Sequence, residues 1–205
     1  MTVWLQAEVQ LARDAPVAAL TEWLGGDGRS AMARLGGWVW GCWHGAPSIG
    51  LRSDSALLFT CWPDDAAAGA AMEWLRNAPP VRGIEGTPLH ATARPTQATP
   101  LDGGGIWVFR DFEIDHTDAE RFVELSAGAW KTFEASFDAR IDGLFRAPGP
   151  ATELARLLLV TRYADLATWE ASRSAESDPE SWARFTERRA LTRWTRARSA
   201  PRLAC

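Results

Sequence analysis

Apolar and polar positions alternate from the start of the chain. Val3, Leu5, Ala7, Val9 and Leu11 share one face of a strand, and Trp4, Gln6, Glu8 and Gln10 share the other. Asp14, with Pro16 in the first turn, opens a helix in which Val17, Leu20, Trp23 and Leu24 keep helical spacing; Gly25-Gly26-Asp27-Gly28 stops it. Residues 37–44 read as an aromatic strand, 45–54 as a Gly/Pro/Ser-containing connection and 55–62 as a further strand. Asp64 or Asp65 caps a helix through Arg76, Asn77-Ala78-Pro79-Pro80 breaks it, and 87–93 read as a closing strand. The order is β-α-β-β-α-β.

Residues 94–105, with two prolines and three consecutive glycines, read as a linker, after which the order returns. Strands are expected at 106–114, 141–146, 154–163 and 192–203, and helices at 118–136, 165–173 and from Ser177 or Asp178 to Leu191. Phe122, Leu125, Trp130 and Phe133 share the buried face of the first of these helices. The stretch Ala56-Leu57-Leu58-Phe59-Thr60-Cys61-Trp62-Pro63-Asp64-Asp65 is echoed by Arg156-Leu157-Leu158-Leu159-Val160-Thr161-Arg162-Tyr163-Ala164-Asp165. The expectation is an α+β fold of tandem ferredoxin-like units, 1–95 and 106–205, joined by a linker at 96–105. Each unit has helices on one sheet face only. The bare face needs a cover, and the other unit's sheet would supply it in a barrel closed within one chain.

Composition narrows the partners. A formal net charge of −4 gives no cationic surface for nucleic acid. Lys131 is the only lysine, which reads as the codon bias of a GC-rich bacterial genome, and the arginines at 188, 189, 193, 196, 198 and 202 read as a solvated helix and edge strand. Three cysteines make no disulfide framework, the N-terminus has no apolar leader and no run is long enough to span a membrane, so a cytoplasmic protein is expected. There is no Cys-x-x-Cys and no His pair at helical spacing, so no metal site is expected.

Val108-Phe109-Arg110-Asp111-Phe112-Glu113-Ile114 followed by Phe122-Val123-Glu124-Leu125, then Tyr163-Ala164-Asp165-Leu166-Ala167-Thr168-Trp169-Glu170, then Trp182-Ala183-Arg184-Phe185, resemble the NIPSNAP-like branch of the dimeric α/β-barrel superfamily. That superfamily includes the antibiotic-biosynthesis monooxygenases. Trp38-Val39-Trp40-Gly41 and residues 57–64 more faintly resemble spheroidene monooxygenase-like proteins. The resemblance implies that barrel halves, contributed by two subunits in many members, are here fused into a pseudo-dimer.

Ligand-facing candidates follow from strand phase. Trp107, Phe109, Asp111 and Glu113 occupy the phase of Trp4, Gln6, Glu8 and Gln10, away from the helices. Leu89, Ala91 and Ala93 share the apolar phase, which turns His90 and Thr92 to the bare face. The phase of 37–44 is ambiguous, with Trp38, Trp40, Cys42 and His44 opposite Val39, Gly41 and Trp43. Arg162 shares a phase with Leu158 and Val160 and is the expected salt-bridge partner of Asp111 or Glu113. The expected ligand contacts are Trp38, Trp40, Trp62, Trp107, Phe109, Asp111 and Arg162, with His90 or His44 as general base. His116 reads as a helix-capping residue, and Cys42 and Cys61 as neighbouring buried thiols. Core packing accounts for Trp23, Trp74, Trp130, Trp169 and Trp182 among the twelve tryptophans.

Three readings result. By resemblance, the protein is a monooxygenase-type or cofactor-independent enzyme for a hydrophobic aromatic or polyketide-like molecule. Alternatively it is a non-catalytic NIPSNAP-type binding protein. No cofactor is otherwise expected, but haem-binding members of the superfamily give a third reading, with His44, His90 or His116 as axial ligand.

Overall fold

The computed structural model describes residues 2–12, 17–45, 48–151 and 154–204. The helix start assigned to Asp14 and Pro16, and Cys205, lie outside the described residues. The chain divides into two compact units, residues 1–90 with 97–103 and 200–205, and residues 91–96 with 104–199.

The first unit contains β1 (Val3–Leu11), α1 (Val17–Gly25), α2 (Asp27–Arg34), β2 (Trp38–Trp43), β3 (Ser55–Trp62), α3 (Asp65–Arg76) and most of β4 (Val81–Arg94). Its strands are ordered β2-β3-β1-β4. Val3, Leu5, Ala7, Val9 and Leu11 pack on Leu20 and Leu24 of α1, Met32 of α2, and Ala68, Ala71 and Leu75 of α3. The glycines at 25–28 separate two helices rather than end one. α1 stops, Gly26 takes a non-helical conformation, and α2 begins at once. Gly28 is needed there because a Cβ would sit 2.7 Å from the Trp23 ring. β4 is longer than the expected strand, starting at Val81, and pairs with β1 from Leu11↔Val81 to Trp4↔Leu89.

The second unit contains β5 (Ile106–Ile114), a 3₁₀ turn at 116–118, α4 (Ala119–Ser136), β6 (Ala139–Arg146), β7 (Ala155–Tyr163), α5 (Leu166–Ala171), α6 (Pro179–Ala190) and most of β8 (Thr192–Pro201). Its strands are ordered β6-β7-β5-β8. The last residues of β4 belong here, with Thr92 Oγ1 donating to the Leu144 carbonyl at 2.8 Å. Likewise the chain from Ala200 onward belongs to the first unit, where Leu203 N donates to the Cys42 carbonyl at 2.8 Å. Ile106, Val108, Phe112 and Ile114 pack on Phe122, Trp130 and Phe133 of α4.

The two units carry matching registers. Val3 pairs with Trp62, and Ile106 with Tyr163. The β2–β3 pairing slips between Val39 and Gly41, and the β6–β7 pairing slips between Ile141 and Gly143. Asp64 caps α3 by accepting from Ala67 N at 2.8 Å, and Asp165 caps α5 by accepting from Thr168 N at 2.7 Å. The correspondence therefore runs Trp62-Pro63-Asp64 with Tyr163-Ala164-Asp165, one residue displaced from the sequence echo. Among the described residues no helix is long and apolar enough to cross a membrane.

Candidate ligand-binding site

β5 sends Ile106, Val108, Arg110, Phe112 and Ile114 to the helix-facing side, by simple alternation. Four of the five are apolar and Arg110 is the exception. The register-matched position in the first unit is Ala7, and the partner of the Tyr163 position is Trp62. Both belong to the packed core there, with Trp62 Nε1 donating to Thr60 Oγ1 at 2.7 Å. In the second unit the same side lines a part-open cavity of about 360 Å³.

Its walls come from seven elements. β5 supplies Val108, Arg110 and Phe112; β6 Ile141; β7 Leu159, Thr161 and Tyr163; α4 Trp130 and Phe133; α5 and the residues after it Trp169, Ser172 and Arg173; α6 Trp182, Phe185, Thr186, Arg188 and Arg189. Thr192 and Thr195 close it from β8 and its start. Seven aromatic rings and four guanidiniums line this space, and no carboxylate does among the described residues. A cavity of this size walled by aromatic rings suits a flat organic ligand, and its guanidiniums offer that ligand polar anchors.

Charge in the cavity is held without acidic partners. Arg188 is buried; it donates to Ser126 Oγ at 3.2 Å and lies 4.8 Å from the Phe185 ring, 5.1 Å from Phe112 and 5.3 Å from Phe122. Burial, then the nearby Arg110 charge, draws its pKa down to about 10. Arg110 is lowered too, first by burial and then by Arg173. Burial pushes the Tyr163 phenol up, which keeps it neutral at physiological pH, and its hydroxyl meets Ser172. Trp130 is buried and its Nε1–H has no hydrogen-bond partner among the described residues.

The side chains singled out from sequence lie elsewhere. Trp38 and Trp40 line a different cavity, of about 540 Å³, in the first unit with Leu24, Met32, Leu101 and Arg202. Trp40 Nε1 donates to the Thr99 carbonyl at 3.0 Å, so part of the linker packs as structure. Trp62 belongs to the helix-facing core. Trp107 and Phe109 are fully buried, with Trp107 Nε1 donating to Asp142 at 2.7 Å. Asp111 pairs with Arg198 at 3.1 Å, not with Arg162; burial raises its pKa against the pull of that arginine. Glu113 pairs with Arg156, and Arg162 with Asp138 and the Gly104 carbonyl. Buried Arg188 and Arg198 are likewise not the solvated arginines expected of this stretch.

The histidines are committed to local contacts. His44 Nδ1 lies 2.9 Å from the Ser55 carbonyl. His90 shares the phase of Ile84, towards the helices, and meets Asp65 of α3 at 3.1 Å, because β4 alternates from its earlier start. His116 accepts from Arg146 at 2.8 Å. None of them lines the 360 Å³ cavity, which also holds no Cys or Met, so its residues do not fit a haem held by histidine or thiolate. Cys42 and Cys61 are both buried but not adjacent: Cys42 faces the helices, while Cys61 pairs with Trp4 on the opposite phase. Burial pushes the Cys61 thiol up.

Sequence reading passed over Arg110, Tyr163, Trp169, Trp182 and Phe185 as site residues. They are the residues that carried the family resemblance, and the fold brings them to one cavity. Trp130, Trp169 and Trp182 also do more than fill a core, since they wall this space.

No protein-family model and no curated relative matches the chain by sequence. Solved structures do match in fold. A "putative monooxygenase" from Lactobacillus acidophilus NCFM superposes with a TM-score of 0.62 at 10% identity, covering 98% of this chain and 93% of that one. An anthrone oxidase-like protein gives 0.62 at 11% identity, covering 98% and 91%. A mutant chlorite dismutase from Candidatus Nitrospira defluvii gives 0.62 at 7% identity, covering 98% and 91%. These are dimeric α/β-barrel superfamily proteins, and the chain shares their fold.

Proposed function

We propose that this protein is a monooxygenase-type α/β-barrel protein acting on a flat aromatic small molecule held in the second unit. The observation that carries the reading is the 360 Å³ cavity walled by seven aromatic rings. It has the size and lining of a small-molecule site. Two of the similar structures bear oxygenase or oxidase names, and one of these names a fused-ring aromatic ketone class. Matching registers and bulges support a duplicated ferredoxin-like unit in which one copy keeps the cavity and the other fills it with Trp62.

In this reading the cavity's chemistry is binding and orientation. Stacking on Tyr163, Trp169 and Phe185 positions the rings. A neutral Tyr163 hydroxyl is the donor best placed to polarise a ring oxygen. Oxygen uptake measured with hydroxylated anthracenes and naphthalenes tests the proposal. Tyr163→Phe should bind the same compounds and turn them over at least tenfold more slowly. Uptake equal to that of buffer with every member of the panel, together with no binding, would remove the reading.

A further inference from the structure

Resting on that aromatic-ligand reading, we infer that the occupant of the second unit's cavity is an anion, a fused-ring aromatic acid whose carboxylate docks on Arg110. The argument begins with strand phase. Arg110 interrupts the apolar side of β5 between Val108 and Phe112, on the side that faces the helices. A guanidinium placed there loses solvation, and charges so placed are ordinarily paired. No carboxylate lines the cavity among the described residues, and Arg110 forms no ion pair with any of them.

Its neighbours sharpen the deficit. Arg173, Arg188 and Arg189 line the same space, Arg173 and Arg189 reaching solvent, and no acid of the lining offsets this positive charge. Arg188 is partly accommodated by Ser126 and three ring faces, and it acts as a fixed background charge. Arg110 is the guanidinium left to bind.

Donor inventory points the same way. Arginine offers five N–H donors and no acceptor, and the indole N–H is a donor only. The unmet polar need at this site, that of the Arg110 guanidinium, is a need for an acceptor. A carboxylate is acceptor-only and matches a guanidinium through two parallel hydrogen bonds. The aromatic walls then require that this acid be borne on a flat apolar body.

Calorimetry at pH 7 with 2-naphthoate and the neutral 2-naphthalenemethanol separates ring from charge. The parent should bind naphthoate at least tenfold more tightly than the alcohol. In Arg110→Met the naphthoate preference should fall by roughly 10- to 100-fold, the range expected for losing a charged hydrogen bond. Arg110→Lys, which keeps the charge but not the fork, should fall between the two. Thermal melting checks the variants: Arg110→Met should melt no lower than the parent, because it removes an unpaired, half-buried charge. If it does not fold, Arg173→Met reports the same loss of preference from the cavity rim, with a smaller change. Equal affinity of the parent for the two compounds would mean that water meets these donors, and would overturn the anion inference while leaving the aromatic site. Failure of both compounds to bind would overturn the inference and the functional reading together.

Discussion

Gly41 and Gly143 occupy the slipped positions of β2 and β6, and in each the ring two residues on lies against the missing side chain. A Cβ would come 2.2 Å from the Trp43 ring at Gly41 and 2.4 Å from the Phe145 ring at Gly143. Both rings are fully buried, so neither can swing away cheaply. Gly41→Ala and Gly143→Ala should each cost about 1–3 kcal/mol as overpacking, read from the urea midpoint. Gly69, inside α3 with nothing within 4 Å of its added Cβ, is the opposite case. Gly69→Ala should stabilise by about 0.5–1 kcal/mol. The Gly-x-aromatic pattern was visible in the chain, but the bulge beneath it was not, and the bulge resets the side-chain phase. That is why the alternation of residues 37–44 was ambiguous: Val39 and Cys42, three apart, both reach the helix-facing core. Arg110 was legible by the same alternation that correctly grouped Trp107, Phe109 and Asp111. Alternation alone does not distinguish an arginine that faces a cavity from one that reaches solvent, because the helices that cover that face decide it.

At the scale of elements, aspartate caps set where the helices begin. Asp178 accepts from Ser181 N at 3.1 Å and starts α6, which carries Trp182, Phe185 and Arg188 into the cavity. Asp178→Ala should cost about 1 kcal/mol, whereas Asp178→Asn should be near neutral because asparagine caps as well. Chemical denaturation of the three proteins checks the order. Asp165 caps α5, and hydrogen bonds from Thr168 hold its carboxyl below the ordinary range. The sign follows from that depression. The folded state binds this proton less readily than the unfolded chain, so the cap stabilises above the unfolded value of about 4. That contribution is lost as pH falls through the lowered folded pKa. The stability difference between parent and Asp165→Ala should therefore be constant from pH 5 to 8 and shrink below about pH 4. A difference that grows on acidification would contradict the capping role. Most strands and helices were legible because alternation and caps are local. The start of β4 at Val81 and the restart of the helix at Asp27 were not, because pairing with β1 and packing on Met32 decide them.

For the molecule as a whole, the question is which of two units binds. The sequence directed attention to Trp38 and Trp40, which do line a cavity, in the first unit. It gave no reason to prefer the second, because a cavity's existence depends on what neighbouring helices leave empty, and no strand pattern records that. The unit comparison supplies the reason. At matched register the first unit has Ala7 and Trp62 in a packed core, while the second has Arg110 and Tyr163 around open space. Ligand binding should therefore protect the second unit alone. With 2-naphthoate at about 100 times its Kd, the bound state gains about 2.7 kcal/mol. Hydrogen exchange should then slow in α5, α6 and the Leu159–Tyr163 end of β7, elements whose side chains wall the cavity. α5 should show the largest change: it is six residues long with no buried side chain, and so opens most readily without ligand. Exchange in α2 and β2, around Trp38 and Trp40, should not change. Protection confined to those first-unit elements would transfer the site to the tryptophan cavity and leave the arginines of the second unit without a ligand role.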